Sequence, residues 1–290
     1  MNFKLLFTVL FVSIFSNSIF SQTTTKENIS VQGKIIDQEN SLPLAYVSVG
    51  VLNKSQGTLT DTIGKFTFPI SQENLADTLQ ISLVGYFSKR IAVKDYIESK
   101  DKTIGLTVKI EELAAVVVTN GKINTEMLGR QGSGKFIQVS VHNKKTVDET
   151  IGSEMGMRYK TSHTNAVLKD FNFYISGNNF NSIKFRVNIY SVKDNMPDTL
   201  IYNKQIFARV DNFKTGWTKL DLENLNIKVN KDFIVAVQWI ESKMDRKENP
   251  ITMLPAAVTP FSKNCYARIG SQDKWKKMGI SLSNFVTLAY

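Results

Sequence analysis

Apolar and polar residues alternate along much of the chain with a period of two, the signature of strands buried on one face. Ile29, Val31, Gly33 and Ile35 fall on one side of residues 29–37, with Ser30, Gln32 and Lys34 on the other. The pattern predicts further short strands at residues 44–52, 65–70, 78–84, 87–93 and 103–110. Turn-forming clusters lie between them at residues 39–41, 53–55, 62–64 and 72–74. Beyond residue 136 the alternation is stronger. Phe171, Phe173 and Ile175 alternate with Asn172 and Tyr174. Ile183, Phe185, Val187 and Ile189 alternate with Lys184, Arg186, Asn188 and Tyr190, which predicts a strand packed on one face with its charges in water on the other. Residues 233–240 are apolar on both faces, as a central strand would be, and residues 217–222 and 285–290 add two more strands. Residues 194–197 and 211–212 supply turns. Parity within the strands predicts that Phe185, Val187, Val235, Val237 and Trp239 face inwards together. Helical periodicity is nearly absent.

The fold class expected is therefore all-β, with two antiparallel β-sandwiches, the second jelly-roll-like or similar to a carbohydrate-binding module. Residues 22–119 form the first and residues 136–290 the second. Gly121, Gly129, Gly132 and Gly134 among polar neighbours mark residues 120–135 as a linker between autonomous units.

The N-terminus departs from this pattern. Lys4 is followed by an apolar run over residues 5–15, broken only by Thr8 and Ser13, and then by Ser16, Asn17, Ser18 and Ser21. Residues 1–21 read as a signal peptide cut before Gln22. The run is shorter than the roughly 20 residues that span a bilayer. No Cys follows it, so a lipid anchor is not expected, and no later stretch is long and apolar enough to span. The destination implied is the periplasm, the outer membrane or the exterior.

Charge separates the two halves. Residues 22–119 hold 10 basic and 11 acidic side chains, whereas residues 120–290 hold 25 and 15. In an exported protein such a basic excess suits an anionic glycan, envelope lipid headgroups or an envelope protein better than nucleic acid. A lysine-rich soluble surface gives the same composition. The single Cys, Cys265, excludes an internal disulfide and a CxxC metal site, and is expected to be buried and inert.

A resemblance appears in the first half. Val31-Gln-Gly-Lys-Ile-Ile-Asp37 and Leu42-Pro-Leu-Ala-Tyr-Val-Ser-Val49 come first. Gly57-Thr-Leu-Thr-Asp61, Gly64-Lys-Phe-Thr-Phe68 and Asp77-Thr-Leu-Gln-Ile-Ser-Leu-Val-Gly-Tyr86 come after them in order. Together they resemble the carboxypeptidase-regulatory-like domain common in exported Bacteroidetes-type proteins, over residues 29–119. The resemblance implies a seven-stranded, transthyretin-like sandwich with no catalytic role, and no HxxE zinc-peptidase signature is present. Gly64 and Gly85 suit tight turns. The next segment, residues 106–121, is similar to the piece that joins such a domain to the plug of starch-utilisation-type TonB-dependent transporters. Ala114 and Ala115 replace the usual acidic and apolar residues there, and residues 122–290 are too few for a plug and barrel. Residues 116–119 are therefore expected to close the first sandwich. The second half resembles the C-terminal domain that often accompanies the first, and that resemblance implies no activity.

Candidate chemistry is sparse. Gly132-Ser-Gly134 lacks the spacing of a nucleophile elbow, and no Gly-x-Gly precedes a helix. His142 and His163 read as surface histidines. Asp194, Asp198 and Asp211 could line a loop calcium site, but their scattered spacing reads as turn aspartates. Glu241, Asp245 and Glu248 interleave with Lys243, Arg246 and Lys247 as a solvated charged loop. Trp239 is expected in the core and Trp217 in the core or at an edge. Trp275, between Lys274 and the pair Lys276 and Lys277, is the best candidate for an exposed aromatic. Its indole would offer a flat face to a sugar ring while three ammonium groups draw an anionic polymer. The competing reading has the lysines guarding an edge strand and Trp275 covering the end of the sandwich. These features point to an exported, non-catalytic cell-envelope binding or structural module. It would use no cofactor or metal and would recognise a glycan or protein through its C-terminal sandwich. The alternative is a surface polysaccharide hydrolase or lyase whose carboxylates the sequence does not pair.

Overall fold

The computed structural model describes residues 28–109, 123–133, 137–140, 151–245, 252–258 and 264–290. Residues 1–21 and 116–119, with His142, Arg246, Lys247 and Glu248, lie outside them. More than half of the described residues are in strands, and none of the described helices is long and apolar enough to cross a membrane.

The first sandwich has seven strands among the described residues. Asn28–Asp37 lies between Lys65–Ser71 and Thr103–Leu106, antiparallel to the former and parallel to the latter. The facing sheet runs Gly57–Leu59, Ser48–Val51, Thr78–Ser82 and Lys89–Ala92. Val31, Ile35, Phe66, Phe68, Val49, Leu79 and Ile81 meet in the core between them, at the inward positions that the alternation assigns. Gly33 shares that inward parity, yet it leaves its place to another residue. The hydroxyl of Tyr96 stands where a Cβ would project, donating to the carbonyl of Gln32 at 2.9 Å. Tyr96 sits on a short helix, Val93–Glu98, which the strand reading of residues 87–93 overran. The strand expected at residues 44–52 shortens to Ser48–Val51, because Tyr46 turns the backbone with a φ of 58°. Gly64 and Gly85 do occupy turns, at φ 76° and 85°.

The second sandwich is larger. Its main sheet runs Met196–Leu200, Ser182–Lys193, Asp232–Lys243, Glu154–Lys160, Cys265–Arg268 and Lys276–Met278, with Phe207–Asp211 also paired to Ser182–Lys193. Facing it are a sheet built on Ala166–Ile175 and Asn284–Ala289 and a smaller one built on Thr252–Val258. Phe185, Val187, Val235, Val237 and Trp239 all enter one buried cluster with Phe171 and Phe173, as strand parity requires. Cys265 is fully buried in it, and burial pushes its thiol up to about 12. Trp239 is likewise buried, while Trp217 is half-buried at an edge, against Tyr174 and Phe285.

Two further expectations need correction. The glycine-rich segment expected as a linker contributes a strand, Thr125–Gly129, which pairs along Asn284–Ala289. Its short alternation sends Leu128 onto the core, and the neighbouring glycines masked that signal. The polar side of Ser182–Lys193 is not solvated either: Arg186 is 2% exposed and Asn188 5%. The first sandwich and the loop before Lys276 close over it.

Candidate functional site

The outer face of the seven-stranded sheet has three zones. At its centre Glu154, on the strand Glu154–Lys160, has a fully buried carboxylate with both oxygens occupied. Arg268 donates to Oε2 from Nε at 2.9 Å and from Nη2 at 2.5 Å. Asn188 donates to Oε1 at 2.8 Å and the Tyr190 hydroxyl at 3.0 Å. Burial drives the Tyr190 phenol far up, and Glu154 beside it adds to the effect. Arg186 stands next in line and donates from Nη2 to the backbone carbonyl of Tyr46 in the first sandwich. Burial lowers Arg186 to about 10, with Glu154 and Tyr190 opposing the shift.

One flank of this centre is apolar. Ile234, Ala236, Tyr190 and Tyr266 are buried together there, under Trp275, Val192 and Met196. Trp275 is half-buried, with its ring edge-to-face on Tyr190 at 5.6 Å and the Arg268 guanidinium 4.8 Å from its centroid. The indole expected in open solvent therefore lies across the sheet as a cover. Lys274, Lys276 and Lys277 are exposed, and the strand Lys276–Met278 ends the sheet. The structure thus separates the four candidates: the lysines stay in water and the tryptophan joins the buried network.

The other flank is the seam with the first sandwich. Tyr46 and Leu59 pack on Ile240. The Tyr46 hydroxyl donates to Glu241 Oε2 at 2.5 Å and lies 3.1 Å from Lys184 Nζ, which caps the rings of Tyr46 and Phe207. Burial first, and Glu241 second, push this phenol up to about 12. Glu241, expected in a solvated charged loop, is exposed but lies within the strand Asp232–Lys243 and ties the two sandwiches together through Tyr46. A polar wedge completes the seam. Gln272 donates to Ser82 Oγ at 2.8 Å and accepts from Gln80 at 2.9 Å, while Ser271 donates to the carbonyl of Thr58 at 3.1 Å.

Beside the seam a groove of about 1270 Å³ runs between the sandwiches, its walls including Lys34, Lys65 and Gln32 on one side and Glu241 and Ser242 on the other. The remaining candidates scatter. His163 stacks on Tyr290, with Glu126 at 3.7 Å. Asp211 is held by Arg209 at 2.8 Å, which keeps its carboxyl below the usual range. No group of three metal-ligating side chains gathers among the described residues. Sequence reasoning missed Glu154, Arg186 and Tyr46. The one available signal was composition: the polar side of Ser182–Lys193 carries Arg, Asn and Tyr, side chains that can be satisfied in fixed pairs, more than freely solvated lysines.

Residues 31–118 match the family model described as CarboxypepD_reg-like domain. No curated protein matches the chain. Among solved structures it is similar to the cysteine protease and lectin-like domains of Cwp84, a surface layer associated protein of Clostridium difficile. That likeness has 10% identity and a TM-score of 0.40, and covers 83% of this chain and 58% of that one. A clostridial Cwp84 cysteine protease after propeptide cleavage gives 9% identity and a TM-score of 0.41, over 92% of this chain and 72% of that one. Infectious bursal disease virus, Gt strain, gives 9% identity and a TM-score of 0.28, over 90% and 63%. The first sandwich of this chain is a CarboxypepD_reg-like domain.

Proposed function

We propose that the chain is an exported, non-catalytic binding or structural module of the cell envelope, which holds an anionic glycan or an envelope protein. The observation that carries this reading is how the buried charges are spent. Glu154, the kind of withdrawn carboxylate that general acid catalysis uses, has both oxygens taken by Arg268, Asn188 and Tyr190. Its side chain has no exposed surface from which to meet a substrate. A carboxylate so bonded is a structural tie. The exposed lysines at the end of the sheet (Lys274, Lys276 and Lys277) are the contact proposed on the second sandwich, with Trp275 stiffening them from below. Export rests on the signal-like residues 1–21, and the anionic partner on the basic excess of the second half.

A glycan array probed with the mature chain, beside a turnover assay on the same glycans, tests the reading. Retention of anionic glycans without product supports it. Release of shortened or unsaturated sugars would favour the hydrolase or lyase instead. Cell fractionation with N-terminal sequencing tests export, with Gln22 as the expected first residue.

A further inference from the structure

We infer that the groove between the sandwiches is a second binding site, one for an acidic sugar chain, with Lys34 and Lys65 as its anion-holding pair. Lys34 and Lys65 stand directly opposite each other in the antiparallel pairing of Asn28–Asp37 with Lys65–Ser71. Residues so placed have Cβ atoms about 4.5–5.5 Å apart on one face, and like charges there are destabilising. Neither ammonium has a carboxylate partner among the described residues. The other charged side chains lining the groove have hydrogen-bond partners of their own. Asp61 accepts from the backbone N–H groups of Ile63 and Lys65, and Glu241 accepts from Tyr46. Lys102 donates to the carbonyls of Tyr96 and Ile97. Lys34 and Lys65 remain a facing, repelling pair of cations, an arrangement that one anionic group between them would relieve.

The lining also selects the kind of anion. Gln32 and Thr67 form the next opposed pair along the same outward face. Amide and hydroxyl groups there match the hydroxyls of a sugar, and the aromatics among the described lining residues (Tyr46, Phe66 and Phe68) are buried, leaving nucleobases little on which to stack. Its volume of about 1270 Å³ exceeds what one small ligand fills. Several sugar units fit. This site lies on the first sandwich and across the seam, so it goes beyond the lysine edge of the second sandwich and shares with it only the reading as a binding module.

Titration calorimetry of the mature chain with hexagalacturonate, a sulfated heparin-derived hexasaccharide and neutral maltohexaose decides the matter. One or both acidic chains should bind, more weakly as salt rises, while maltohexaose should not. Which acidic chain binds tells carboxylate from sulfate recognition. The double variant Lys34→Gln/Lys65→Gln should weaken binding about tenfold or more, the loss of charge-assisted contacts. Its melting temperature should be equal or higher, since a repulsion has been removed. Unchanged affinity in that variant, with affinity lost in Lys274→Gln/Lys276→Gln/Lys277→Gln, would overturn the groove site and leave the module reading standing. Equal binding of the neutral chain would overturn the anion pair. Failure of every glycan to bind either variant or the parent would remove both.

Discussion

The strand Ser182–Lys193 carries Ile183, Phe185, Val187 and Ile189 on its inner side and Arg186, Asn188 and Tyr190 on its outer side, and both sides are buried. The inner side is held by packing, in which each methylene contributes a little and neighbours can give way. The outer side is held by pairing. Glu154 accepts hydrogen bonds from Arg268, Asn188 and Tyr190, and Arg186 completes the link to Tyr46. A paired charge in such a place offers little advantage over an apolar substitute, yet it is costly to break. The comparison teaches that polarity along a strand shows which side chains need partners. Whether water or protein supplies those partners is a separate matter.

Substitutions can set the two faces against each other. The largest effect is expected from Val237→Asp, which places an unpaired charge in the inner core at a cost of several kcal/mol. The second sandwich should fail to fold, read as lost soluble yield and a lost thermal transition. A soluble variant with unchanged melting would mean that the inner face is not closed. Next comes Glu154→Ala, which strands the Arg268 guanidinium and should cost about 3–5 kcal/mol. The double variant Glu154→Leu/Arg268→Met should recover part of that loss in a denaturant titration, since Asn188 and Tyr190 stay without their acceptor. If the single variant melts as the parent does, the outer face is wet and the contrast collapses.

Trp275→Ala is expected to cost about 2 kcal/mol, less than the truncation of a fully buried tryptophan, because the indole is only half covered. A melting temperature that stays put while anionic glycan binding weakens would instead make the indole a ligand contact. The smallest effect belongs to the seam. Tyr46→Phe deletes the hydrogen bond to Glu241 and should cost about 1 kcal/mol at neutral pH. Its pH dependence is more telling. The folded phenol holds its proton up to about 12 against an ordinary value of 10, so the folded state binds more protons between those limits. Stability should therefore be intact below about pH 10 and fall as pH rises towards 12. Tyr86 and Tyr96, also raised to about 12, add to the decline, so the difference between parent and Tyr46→Phe isolates the seam. Parallel curves for the two proteins would show that Tyr46 is not withdrawn from solvent.

Much of the fold was legible because strand parity is a local property. Residues Val235, Val237 and Trp239 share one side of any extended chain, and their apolar character left them a single place to go. The helix Val93–Glu98 was not legible, since six residues give too short a window for a helical period. Nor was the strand Thr125–Gly129, whose alternation is interrupted by glycine at its end. Around the candidate site, the exposure of Lys274, Lys276 and Lys277 was legible, and Trp275 takes the covering place that the competing reading gave it.

The amino-acid order by itself determined the all-β class, the inward set of each strand and the motifs of the first sandwich, because these depend on neighbours within a few residues. The tertiary structure alone decided that Glu154 meets Asn188 and Arg268, partners 34 and 114 residues away in the chain. It alone set Lys34 opposite Lys65 in a groove, and it alone laid Tyr46 against Glu241, 195 residues on. A charge in a sequence states only that it must be neutralised or hydrated. Which of the two happens depends on what the folded chain brings to its side.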